Sequence, residues 1–296
     1  MKILSFDIGG TAIKYGILNE NGEIFELRET PTEANQGGRA VMDKVLSIIN
    51  EYKDLDRIAV STAGQVNNNS GEIIFASKNI PGWLGMKVKE EIEARYNIKA
   101  FVENDVNCAA LGEAYLGAGR GYDKFLCIAY GTGVGGAIIH NNAIYRDLGY
   151  SAGQFGHMAT HAEGENCNCG LKGCYERYAS TSALIRRVKR ELNLQGDING
   201  KLIFNRVKEG DNSYIVIVNR WLDEVLIGLA NLIHIFNPKL IILGGGIMEE
   251  SYVLDYINRN INERMIPSFR GVKIKGAELG NKAALVGISR IASINI

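Results

Sequence analysis

"KILSFDIGGTAIKYGIL", Lys2 to Leu18, is an apolar run, a glycine turn and a second apolar run. The spacing predicts strand, tight turn, strand. Asp7 stands at the end of the first strand, and Gly9, Gly10 and Thr11 make the turn. Small residues there expose backbone N–H groups, which bind phosphate oxygens. Asp7 is placed to hold the water shell of Mg2+, which takes one or two carboxylates plus phosphate oxygens. Lys14, on the second strand, joins this candidate phosphate-binding group. Alone, the stretch is also what an ordinary glycine hairpin looks like.

The same device recurs in "KFLCIAYGTGVGGAIIHNNAIYR", Lys124 to Arg146. Its turn offers Gly131, Thr132 and Gly133. Gly131, Gly133 and Gly136 fit G-x-G-x-x-G, but a dinucleotide site needs a helix next, and β-branched sequence follows instead. No P-loop motif is present. Two strand–glycine–strand units, roughly 120 residues apart, predict two related α/β halves. Paired phosphate hairpins across a cleft are the arrangement of actin-like, hexokinase-type ATPases. A third glycine loop, "LGGGI", brings Gly245 and Gly246 as candidates for the adenosine side of a nucleotide.

Composition narrows the class. The chain has 296 residues, 46% hydrophobic and 22% charged, with formal net charge +0. No basic stripe marks a nucleic-acid partner. No apolar run is long enough for a membrane span, and the N-terminus lacks a signal-peptide pattern. Cys108 and Cys127 sit in apolar runs and read as buried thiols. The expected compartment is the reducing cytoplasm.

The other three cysteines, Cys167, Cys169 and Cys174, crowd into "CNCGLKGCYE". Structural zinc takes four N or S ligands, so three thiolates ask for one more. His140 and His234 lie in apolar strand-like and helix-like sequence. His157 and His161, in "GQFGHMATH", are both within reach.

In "FVENDVNCAALGEAYLGAG" a strand meets a helix at Asn104 and Asp105. Both residue types cap helices. The functional reading makes Asp105 a general base for a sugar hydroxyl attacking the γ-phosphate of ATP, with Asn104 and Asn79 as polar contacts. Trp83 is expected to pack beneath Asn79. Elsewhere, "EIFELRE" reads as a third strand, residues 38–52 as a helix, residues 178–233 as mostly helical, and "NKAALVGISRIA" as a closing helix. The expected domains are a small α/β domain, 1–117 plus the C-terminal helix 283–296, and a larger one, 118–282, with the cysteine loop and helical part.

"DIGGTAIKYG", "ENDVNCAALGE", "GTGVGGA", "GQFGH" and "CNCGLKGCYE", in that order, resemble the ROK family (repressors, open reading frames and kinases); "NPKLIILGGGI" and "AALVGISRIA" extend the likeness to nearly the whole chain. The resemblance implies an actin-like ATPase fold, a Cys3His zinc site with His157 as fourth ligand, and a homodimer. It implies Asp105 as catalytic base and Asn79, Asn104, His157 and Glu176 as sugar contacts. The family's glutamate in G-E-x-G-H is Gln154 here, which bears on the sugar's identity. The implied activity is ATP-dependent phosphorylation of the 6-hydroxyl of a hexose, glucose or N-acetylmannosamine foremost, with a β-glucoside or fructose as alternatives. A sugar-responsive repressor of this family carries an additional DNA-binding segment ahead of "DIGGT"; a sugar-binding module without catalysis would need neither Asp105 nor three phosphate loops.

Overall fold

In β1 (Ile3–Ile8) every side chain except that of Asp7 is buried, the mark of a strand covered on both faces. The structure, a computed structural model, describes residues 1–76, 79–146, 150 and 152–294. Residues 295 and 296 of the expected C-terminal segment, and Lys78 beside Asn79, lie outside the described residues. The chain divides into unit 1, Met1–Asp123, Ile138–Ala152 and Asn281–Ile296, and unit 2, Lys124–Ala137 and Gly153–Gly280.

In unit 1, β1 pairs antiparallel with β2 (Ala12–Leu18) and parallel with β4 (Arg57–Thr62). Strand β3 (Arg28–Pro31) lies outside β2 and β7 (Ala100–Asn104) outside β4, giving the order β3-β2-β1-β4-β7. Alternate residues of a strand face opposite sides. Leu4, Phe6 and Ile8 therefore join the core formed with α1 (Gly38–Ile49) and α2 (Val88–Tyr96). Ile3 and Ala59 face Cys108 of α3 (Asp105–Leu116) and Ala284, Ile288 and Ala292 of α9 (Ala283–Ile294). A small two-stranded ladder, β5 (Gln65–Asn67) with β6 (Glu72–Phe75), completes the unit.

The third strand begins at Arg28, later than "EIFELRE" suggested. Before it, the chain crosses Gly16 so closely that a side chain there would overlap the Glu26 carbonyl. Phe25 and Leu27 stay exposed, so this piece cannot act as a core strand. Ile138–Ala152, which the sequence reading placed in the larger domain, clusters with unit 1: β10 (Ala143–Ile144) packs on α3, and Arg146 pairs with buried Glu103.

A second sheet runs β10-β9-β8-β11-β12, with β8 (Lys124–Tyr130), β9 (Val134–His140), β11 (Leu240–Gly244) and β12 (Lys273–Gly276). Strand β11 is parallel to β8 and β12. Unit 2 holds β8, β11, β12 and the start of β9, with α4 (Glu176–Ala179), α5 (Thr181–Glu191), α6 (Gly200–Lys208), α7 (Asn212–Phe236) and α8 (Ser251–Asn260). Cys108 and Cys127 are buried thiols, as their apolar runs suggested. Among the described residues no helix is long and apolar enough to cross a membrane.

Candidate active site

The parallel strands β1, β4 and β7 end together, and ligands of open α/β sheets bind beyond such carboxyl ends. Register sets Lys14 opposite Asp7, Asp7 opposite Ser61, and Ser61 opposite Glu103. The result is a polar row across four strands. Ser61 Oγ donates to Asp7 Oδ1 at 2.9 Å. Burial raises the Asp7 carboxyl's pKa, opposed by the Ser61 hydrogen bond and the Lys14 charge. A half-buried carboxylate with one serine and a nearby lysine suits a cation's water shell.

Beyond β1, Gly9 N–H donates to Ala12 O at 3.0 Å, and Thr32 Oγ1 donates to Gly9 O at 2.6 Å. This closes the turn that carries Gly10 and Thr11. Exposed Asn79 lies beside Gly10: its Cβ is 3.9 Å from where a side chain on Gly10 would begin. Trp83 is buried and donates from Nε1 to Thr62 Oγ1 at 3.1 Å, which anchors this segment.

Asn104 caps α3. Its Oδ1 accepts from the N–H groups of Val106 and Asn107 at 3.0 and 3.1 Å. Its Nδ2 donates to Gly64 O at 2.9 Å and to Asp105 Oδ1 at 2.8 Å. The two readings of this pair are therefore divided between its members: Asn104 caps, and Asp105 is held by it. Burial pushes Asp105 up to about 7; the Asp7 charge adds to this, while the Val106 N–H and Asn104 oppose it. A general base works best with a pKa near the operating pH.

In unit 2 the cysteine loop is fastened by the residue between Cys174 and Glu176. Tyr175 is fully buried. Its hydroxyl donates to Val225 O at 2.9 Å and lies 2.8 Å from Tyr130 Oη. Its ring fills the space that a side chain on Gly228 of α7 would take. Trp221 Nε1 donates to Ala179 O at 3.0 Å and fixes the end of α4. Glu176 is thereby carried to the turn between β8 and β9, where its carboxylate occupies the space beside Gly133.

His157, Cys167, Cys169 and Cys174 bring one ligand atom each into a group with all separations within 4.8 Å. Cys169 Sγ is 3.6 Å from Cys174 Sγ, and Cys167 Sγ is 4.0 Å from His157 Nδ1. A tetrahedral site with metal–sulfur bonds of about 2.3 Å has edges of about 3.8 Å, so the set fits such an ion. His161 turns away: its ring stacks on Tyr178 at 3.9 Å and its Nε2 lies 3.6 Å from Glu224. Gln154 is exposed, one step before the turn Phe155–His157. Gly136 serves packing, since a side chain there would overlap the Phe155 ring.

A cavity of about 580 Å³ in unit 2 is lined by Gly131, Thr132 and Gly246 together with Thr181, Lys201, Phe204 and Glu249. Gly245 has φ 98° and presses against the Tyr130 carbonyl, where a side chain would collide. Lys201, Phe204 and Glu249 escaped the sequence reading, because they come from α6 and the turn after β11 and form no local motif. Glu103 escaped it as well, although a lone acid inside the strand-like run "FVEN" is a signal.

The ROK family profile matches residues 3–294. A β-glucoside kinase of Listeria innocua is 33% identical over 291 residues, covering 97% of this chain and 96% of that protein. A ROK family glucokinase from Streptomyces griseus, solved with glucose and AMPPNP, superposes with a TM-score of 0.88 at 32% identity, covering 98% of this chain and 99% of that one. A Listeria monocytogenes protein described as a candidate N-acetylmannosamine kinase superposes with a TM-score of 0.89 at 30% identity, covering 100% of both chains. The fold is accordingly the actin-like ATPase fold of these sugar kinases, and the chain belongs to the ROK family.

Proposed function

We propose that this chain is an ATP-dependent sugar kinase that phosphorylates the 6-hydroxyl of a hexose or hexose derivative, with glucose and N-acetylmannosamine the first candidates. The observation that carries the reading is Asp105: a carboxylate at the start of α3, fixed by Asn104, with its pKa raised to about 7. Asp105 accepts the hydroxyl proton as the sugar oxygen bonds to the γ-phosphorus and the bond to the ADP oxygen breaks. Asn79 and Asn104 in unit 1, and Gln154, His157 and Glu176 in unit 2, are assigned to sugar hydroxyls. The turns at Gly9–Thr11 and Gly131–Gly133, with Lys14, Gly245 and Gly246, are assigned to ATP.

Mg2+, with Asp7 on its water shell, would offset phosphate charge. Zinc held by His157, Cys167, Cys169 and Cys174 would lock the His157 imidazole, while the rest of the loop positions Glu176. The family resemblance adds a homodimer, and the cysteine usage the reducing cytoplasm, which gel filtration and fractionation test.

A β-glucoside is the second reading within the class, favoured by Gln154, a neutral amide where the family carries a carboxylate; fructose is the remaining alternative. ATP consumption measured across glucose, N-acetylmannosamine, a β-glucoside and fructose decides the sugar. Absence of turnover with every hexose, in a protein that still binds one, would favour the repressor or binding-module reading instead.

A further inference from the structure

The polar row at the strand ends has a member with no role so far. Glu103 is 1% exposed, yet its carboxylate is fully engaged. Oε1 accepts the Asn104 N–H at 2.9 Å and Asn107 Nδ2 at 3.0 Å. Oε2 accepts Arg146 Nε at 2.9 Å and also Arg146 Nη2. Asp105 therefore sits between two residues, Asn104 and Asn107, that are both tied to one buried carboxylate. An unpaired charge buried at that depth would be costly. Arg146 supplies the compensation from the segment after β10, far from α3 in sequence.

We infer that Glu103, held by Arg146, is a positioning residue for the base: it sets the backbone at Asn104 and the side chain at Asn107, and so the place of the Asp105 carboxylate. The inference rests on the kinase reading above. Glu103 touches no reacting atom in this account. The Asn104 side chain keeps its own bonds to Gly64, Val106 and Asn107, so the effect of Glu103 passes mainly through Asp105, and misplacing a reacting group by about 1 Å costs on the order of 10²-fold in rate.

Glu103→Gln tests it. Glutamine keeps the volume and an acceptor for Asn104, but it turns an amide donor toward the Arg146 guanidinium. The expected result is a kcat lowered ~10–100-fold per folded enzyme, with the KM values for sugar and ATP nearly unchanged. Arg146→Met should repeat the loss, and Arg146→Lys, which keeps the cation, should recover part of it. In an Asp105→Asn background, Glu103→Gln should have no further effect on the residual rate. A variant that only melts earlier while keeping wild-type kcat per folded molecule would overturn the inference. So would an equal fold-loss in both backgrounds. Wild-type turnover in Asp105→Asn alone would instead remove the base assignment, which separates the two failures. If Glu103→Gln does not fold, the two Arg146 variants carry the same comparison.

Discussion

Asp7 and Asp105 are coupled through charge: the carboxylate of Asp7 adds to burial in raising Asp105 to about 7. Two consequences follow for pH. The base must be ionised to accept a proton, so kcat/KM should rise with pH and level off above about 7. Stability should move the other way. The folded-state pKa exceeds the ordinary value of 3.8, so the native state holds the proton more tightly than the unfolded chain. Stability is then lost as pH rises from about 4 through about 7. The melting temperature of Asp105→Asn relative to wild type should therefore climb across that window, and a constant difference would mean that Asp105 titrates normally.

Metal removal should act on the sugar more than on ATP. Tyr175 is anchored by Tyr130, Val225 and Gly228 without help from the Cys3His set, so the backbone leading to Glu176 has independent support, although the Glu176 carboxylate also accepts from Cys167 Sγ at 3.1 Å. His157 has less of it, and a ligand imidazole loses its orientation without its ion. Metal analysis should find about one zinc per chain, as a single four-ligand site requires. Chelation or Cys169→Ser should lower the melting temperature and raise the sugar KM while leaving the ATP KM nearly unchanged. An intact sugar KM in metal-free protein would contradict this.

Helices α3 and α9 meet backbone to backbone. A methyl group on Gly287 would overlap the Cys108 carbonyl, and one on Gly112 would overlap the Ala283 carbonyl. Gly287→Ala should destabilise unit 1 by about 1–3 kcal/mol or more, the usual range for overpacking. Thermal melts read this directly; an unchanged melting temperature would show that the helices separate at little cost.

The local parts of this molecule were legible in the sequence, and the long-range parts were not. The turns after Asp7 and Tyr130, the capping pair Asn104–Asp105 and the cysteine loop are each written in fewer than about ten neighbouring residues. Glu103 gains its meaning only when β1, β4 and β7 align it with Asp7 and Ser61, and when Arg146 arrives from another part of the chain. Gly136 completes a G-x-G-x-x-G pattern that the following β-branched sequence argued against, and its space is taken by Phe155. Strand β3 was misjudged because the close crossing at Gly16 leaves no trace in hydrophobic spacing.

Gln154 should read the substituent on the sugar. It is exposed, and an amide offers donors that a carboxylate lacks. Gln154→Glu should shift kcat/KM toward free glucose relative to N-acetylmannosamine or a β-glucoside, by about 1 kcal/mol for one exchanged hydrogen bond. An unchanged ratio would place selectivity elsewhere.

The central claim is that Asp105 takes the proton from the sugar hydroxyl. The direct measurement is sugar-dependent ATP consumption by wild type and Asp105→Asn, with sugar binding followed in parallel by calorimetry. Asparagine is also a good helix-terminal residue, so the fold should persist. The account predicts a rate about 10²–10⁴-fold below wild type, the usual contribution of a general base, with sugar affinity retained. Turnover near wild type in the variant would contradict it.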